Sequence, residues 1–282
     1  MPVIFRLFLP CFFFLLLGTS AVEAQKKPSI KGNRIVAPYQ ASVEPFHSIV
    51  LAEDIQLNIV AADSSYVAIL ADDNLPPVFK FQVTDSILTI STYYIIKGAK
   101  QLDLTLFTPN LNSIAMNAGD VGLTLDPRFK AVSISLSQGA RLAVGGSVPY
   151  FSLSLGDKSF ASVNGVFDQL ALSLQDRAAA TLYTDVSENA SLTLKDKAGV
   201  QWGGTAAQLS ASLVADTQLS AEELVITEAM VNAAGNTKAT LYILAHLTYF
   251  AKGDSQLNLY GKPRVDLLEF SGTAQLRKKE LK

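Results

Sequence analysis

From residue 110 onward, apolar side chains occupy alternate positions in short runs, and each run turns through a brief polar corner into a second alternating run. Val132, Ile134 and Leu136 lead through Ser137-Gln138-Gly139 to Ala140, Leu142 and Val144. Phe151, Leu153 and Leu155 lead through Gly156-Asp157-Lys158 to Ser159, Ala161 and Val163. Leu170, Leu172 and Leu174 pass Gln175-Asp176-Arg177 to Ala178 and Ala180, and Leu192 and Leu194 pass Lys195-Asp196-Lys197 to Ala198 and Val200. A period of two marks strands that bury one face, and the polar triplets supply the turns.

The pattern recurs with fixed spacing. The residue after each corner falls at positions 140, 159, 178, 198, 217, 237, 255 and 274, and every occupant is Ala, Ser or Thr. Later copies carry Leu209, Ala211 and Leu213, then Ala229, Val231 and Ala233, then Leu247, Tyr249 and Ala251, and finally Leu268 and Phe270 as the inward set. A repeat near twenty residues predicts a β-solenoid: one turn cannot bury its apolar face alone, whereas stacked turns pair backbones and share a core. Only a small side chain fits where the chain bends inward past a tight corner, which accounts for the Ala/Ser/Thr column. A copy around Ile114 and Met116 precedes these but fits less well, because Asp120 stands where the small residue belongs.

The expected fold is therefore all-β, a β-solenoid or β-helix of 19–20-residue turns over 110–279. Residues 46–109 read as consecutive strands of antiparallel type that cap or continue the stack, with Ile55-Leu57-Ile59 and Phe79-Phe81-Val83 alternating between turn residues. Residues 25–45, with Pro28, Pro38 and Pro45, suit an extended leader, and 280–282 end a basic tail.

The first 24 residues change the setting of the fold. Arg6, the apolar run Leu7–Leu17 and Val22-Glu23-Ala24 have the order of a signal peptide, and the run is too short for a bilayer of about 30 Å. Cleavage after Ala24 predicts export to the periplasm, cell surface or medium, with no stable membrane insertion afterwards. Cys11, the one cysteine, would leave with the signal, so no disulfide framework and no thiolate metal site is expected. Net charge of −2 offers no basic excess for nucleic-acid phosphates.

Candidate chemistry is sparse. His47 and His246 lie far apart in sequence, each without a nearby acid at ligand spacing, and no Ser occupies a G-x-S-x-G elbow. Trp202 falls on an inward position, and Gly145-Gly146 and Gly203-Gly204 fall at strand ends. No catalytic, cofactor or metal residue is assigned, and no cofactor is expected. The one constellation is at the corners, where Asp157, Asp176 and Asp196 hold the middle position and Lys158, Arg177 and Lys197 follow. Stacking would set the carboxylates in one ladder and the cations in another. That arrangement is either an Asx-type turn with a solvated salt-bridge lattice or a surface-binding patch for a polar polymer or divalent cation.

Pro45-Phe46, Asp72-Asp73-Asn74-Leu75, Leu88-Thr89-Ile90, Pro109-Asn110-Leu111 and the closing Tyr260-Gly261-Lys262-Pro263-Arg264-Val265 with Ser271-Gly272 resemble the putative auto-transporter adhesin, head GIN domain family, a domain of unknown function. The resemblance spans about 44 to 279. It implies a secreted or cell-surface β-helical domain with an adhesive role, and no catalytic residues. Members commonly carry Ser-Gly-Ser/Ala corners, and this chain departs from that at most corners. The expected function is a non-enzymatic binding or envelope-structural domain whose partner is a surface protein or glycan. The alternative is a carbohydrate-active β-helix enzyme, a polysaccharide lyase or hydrolase.

Overall fold

The computed structural model describes residues 27–51 and 53–280; the signal peptide read at 1–24 and Cys11 lie outside the described residues. Strands dominate, and the described helical structure is a single 3-10 turn at Pro76–Val78. From residue 113 the chain winds as a parallel β-solenoid with two faces. One face stacks Ser113–Met116, Ala131–Leu136 and then the second halves of the long strands, with Val132 beside Phe151, Leu170, Ala190, Leu209, Ala229, Leu247 and Val265 in successive turns. The other stacks Asp120–Leu125 with the first halves, with Leu142 beside Ala161, Ala180, Val200, Leu219, Ala239, Leu257 and Leu276. Strands such as Arg141–Leu155 and Phe160–Leu174 run from one face into the other round the second bend, where Val148 and Phe167 point inward.

The core is the slab between the faces. Inward columns are buried as far as Leu247 and Leu257, with Val265 and Leu276 of the last described turn half-buried, and Phe151 stacks on Phe167 at 5.2 Å between ring centroids. The small column behaves as its composition demands: Ala140, Ser159, Ala178, Ala198, Thr217, Thr237 and Ser255 are all buried. The hydroxyls of Ser159, Thr217 and Thr237 are buried without a hydrogen-bond partner, so size, not polarity, governs this column. Trp202 is buried as expected of an inward residue, and its indole N–H donates to Thr184 Oγ1 at 2.9 Å.

The region before residue 110 both continues and caps the stack. Ser48–Leu51 and Gln56–Ala61 form a full turn, paired in parallel with Ser113–Met116 and Asp120–Leu125 on one side. On the other side the same turn pairs in parallel with Ile87–Thr92 and Leu102–Thr108, which come later in the chain. Antiparallel strands then close that end: Phe79–Thr84 on one face, and Tyr66–Asp72 followed by Val36–Ser42 on the other. Asp72 is buried in this cap, accepting backbone N–H bonds from Arg34, Lys100 and Gln101 at 2.9, 3.2 and 3.3 Å. Burial pushes its carboxyl pKa up, but the amide donors and the Lys100 charge outweigh this and hold it below the ordinary value.

Two details of the repeat differ from the alternation. Asp120 aligns with Arg141, so Gly119, not Asp120, takes the small position in that turn. The corner there is one residue shorter, and a Cβ on Gly119 would lie 2.6 Å from the Ile55 carbonyl oxygen. Leu268 and Phe270, expected inward, are 64% and 45% exposed. A register shift in the pairing of Arg264–Phe270 with the preceding turn throws Leu268 out of phase, and no further described turn covers this one.

Candidate functional site

The corners form a continuous edge of the solenoid, and their geometry follows from one backbone requirement. Gln138, Asp157, Asp176, Asp196 and Ala215 have φ between 53° and 70°, and Gly235, Gly253 and Gly272 have φ between 71° and 83° at the equivalent place. A left-handed residue thus recurs at the middle of every corner from Gln138 to Gly272. Glycine takes that conformation without a steric cost, and Asp takes it better than most because its short side chain can bond to nearby backbone.

The carboxylates do that across turns. Asp157 Oδ2 accepts the Gln138 backbone N–H at 2.8 Å, and Asp176 Oδ2 accepts the Asp157 N–H at 3.4 Å. Asp157 and Asp176 therefore each cap the corner of the turn before. Lys158, Arg177 and Lys197 stand exposed beside them, yet no ion pair joins them to Asp157, Asp176 or Asp196 among the described residues. Two carboxylate-to-amide bonds link successive corners from Gln138 to Asp176. A shallow cleft of about 470 Å³ lies along it, lined by Gln138, Gly139, Asp157, Lys158, Asp176 and Arg177.

The same edge continues toward the cap into a larger cleft of about 680 Å³. The pairings of Leu51 with Met116 and of Gln56 with Asp120 place residues 53–55 directly in the corner column. Asp54, Glu53, Tyr94, Lys100, Gln101 and Asp103 contribute its polar and aromatic walls. Gln101 Nε2 donates to Asp103 Oδ2 at 2.6 Å, and Lys27 pairs with Glu53 at the rim. Alternation alone did not single out this cleft, because Thr92-Tyr93-Tyr94-Ile95 reads as one more strand segment. The weak signal was three large side chains in a row at a turn, with Tyr93 56%, Tyr94 39% and Ile95 50% exposed.

The histidines resolve differently. His47 is exposed, with Nδ1 3.0 Å from Ser48 Oγ. His246 gains an acid that local spacing did not reveal: Nε2 lies 2.9 Å from Asp266 Oδ2, one turn along the stack. Arg264 Nε donates to the other oxygen of Asp266 at 3.2 Å. The hydrogen bond with His246 draws the Asp266 carboxyl below its ordinary pKa, against the effect of burial and with help from the Arg264 charge. This group lines neither cleft. Among the described residues, no three His, Cys, Asp or Glu side chains are grouped to hold a metal ion, and no helix is long and apolar enough to cross a membrane.

Residues 45–263 match the family described as "putative auto-transporter adhesin, head GIN domain". The chain belongs to that family. The GIN-domain fold recurs in solved structures over nearly their whole length. A putative adhesin from Parabacteroides merdae aligns with a TM-score of 0.63 at 14% identity, covering 89% of this chain and 99% of that one. A putative adhesin from Parabacteroides distasonis gives 0.60 at 17% identity, with 90% and 100% covered. A structure from the same organism described as a putative lipid binding protein gives 0.55 at 14% identity, with 89% and 99% covered. At such identities the likeness shows a shared fold. The comparison with curated proteins found no match.

Proposed function

We propose that this GIN-domain chain is an exported, non-catalytic binding module of adhesin type, which holds a glycan or a surface protein along its corner edge at the cell envelope. The observation that carries the reading is that both clefts described above open on the one edge formed by the stacked corners. Along the corners the contact surface is Asp157, Lys158, Asp176, Arg177, Asp196 and Lys197. There Asp157 and Asp176 serve the backbone, and the exposed cations are left for a polar partner. Family membership and the order of charged, apolar and small residues over 1–24 support the export and adhesion parts of the reading.

The test applies the protein lacking residues 1–24 to immobilised glycans and to envelope fractions, with release of reducing sugar measured in parallel. Retention without new reducing ends is the expected result. A polysaccharide-cleaving activity that disappears when Asp157, Asp176 and Asp196 are all changed to Asn would establish the lyase or hydrolase alternative instead.

A further inference from the structure

Resting on that reading, we propose that the cleft at the capped end of the corner edge is the sugar-binding site proper, and that it takes an uncharged glycan whose chain runs on along the corners. The wall chemistry selects the class. Tyr94, 39% exposed, lines the cleft, with the still more exposed Tyr93 next to it in sequence. An aromatic face presented to solvent buries the apolar C–H side of a pyranose while leaving the phenol wet.

Around that ring the acceptors are carboxylates: Asp54 and Asp103 are exposed and Glu53 half-buried. An ionised carboxylate accepts only, with two oxygens, so it pairs with vicinal sugar hydroxyls as donors. Asp103 accepts from Gln101 through one oxygen, which leaves the other for a sugar hydroxyl. Lys100 and Gln56 supply donors for ring or glycosidic oxygens. Three acids against Lys100 and the rim cation Lys27 leave the walls net negative, which disfavours uronic-acid polymers and other anions. The volume of about 680 Å³ falls in the range of sites that enclose a small ligand.

The edge supplies the direction. Beyond the cleft come the corner at 117–119 and then the second cleft between Gln138 and Arg177. At about 4.8 Å per turn this makes a track of roughly 20 Å from residue 54 to residue 176. A polymer anchored in the first cleft can follow it, which predicts affinity that rises with chain length.

Isothermal titration with neutral hexaoses (cello-, manno-, laminari- and chitohexaose), their disaccharides and oligogalacturonate decides it. The expected outcome is binding of at least one neutral hexaose, weaker binding of its disaccharide, and none of oligogalacturonate. Tyr94→Ala and the double change Asp54→Asn with Asp103→Asn should each weaken that binding about tenfold or more. Tyr94→Phe should keep it, and Glu228→Gln, exposed and outside both clefts, should alter it by less than about threefold. All these positions are exposed, and an unchanged melting profile checks that each variant is folded. Hexaose binding that ignores the cleft changes would overturn this assignment while leaving the binding-module reading intact. Oligogalacturonate binding, or retention of envelope material with no affinity for any neutral hexaose, would also reject it and leave that reading standing. Absence of all binding would reject both.

Discussion

Two glycines with the same backbone need but different surroundings give a direct measure of how tightly the turns are stacked. Gly139 has φ +85° and an added Cβ would meet nothing within 4 Å. Gly204 has φ +110°, and its Cβ would lie 2.1 Å from the carbonyl oxygen of Thr184, its partner in the turn before. For Gly139→Ala the left-handed conformation costs about 1–2 kcal/mol. The stiffer unfolded chain returns about 0.4–1 kcal/mol, so the net loss is about 1 kcal/mol. Gly204→Ala carries that cost and adds an overlap with backbone, which cannot swing aside as a side chain would.

Crowding against backbone at this half-buried position adds about 1–3 kcal/mol, and forcing the two turns apart also weakens a neighbouring ladder hydrogen bond worth about 1 kcal/mol. The expected loss is about 3–5 kcal/mol. Urea unfolding of both variants measures the difference, and Trp202 is a built-in reporter, buried and bonded to the Thr184 side chain. Because stability in stacked repeats is largely nearest-neighbour, amide exchange should show the Gly204→Ala loss centred on the turns holding residues 184 and 204. Equal losses in the two variants, within about 0.5 kcal/mol, would refute the close approach of the turns at this bend.

Other positions give smaller tests. Ala215 is the one corner residue in the left-handed region that has neither a polar side chain nor glycine's freedom. Ala215→Gly should therefore raise stability by about 0.5–1 kcal/mol in the same unfolding assay. Thr237 buries a hydroxyl without a partner, so Thr237→Val should stabilise by about 1 kcal/mol while Thr237→Ser does not. Asp72 has a folded-state pKa below its unfolded one, so its contribution is present above the unfolded value and lost as pH falls through the folded value. Amide protection at Arg34, Lys100 and Gln101 should fall on acidification below about pH 4, and Asp72→Asn should remove that pH dependence.

The stack was readable because a two-sheet turn imposes two signals at once, alternation along each strand and one small residue after each corner. The corner acids were visible too, but their partners were not. The choice between neighbouring cations and the amides of the adjacent turn depends on the left-handed backbone, which no residue type announces except glycine. Gly119 took the place expected of Asp120 because its corner is one residue shorter, and alternation does not count corner residues. The acid beside His246 became visible only with the turns in register, since Asp266 is distant in sequence and adjacent in space. The large cleft was hidden for a related reason: its walls come from segments near residues 54, 94 and 101, and which segments pair is a matter of topology.

The turn at 48–61 sits between two turns that both come after it in the chain. In folding terms it is a seed with two unlike sides. One side is closed by local antiparallel returns ending in a strand whose Pro38 has no N–H to offer, so further strands gain little by adding there. The other presents a parallel edge onto which each new segment of 18 to 20 residues can wind. The arrangement puts cap and seed ahead of the repeats in the chain and lets the stack lengthen on one side only. It also makes length a free variable. Turns can be added to or removed from the far end in whole units while the seed, the cap and the cleft beside them stay as they are.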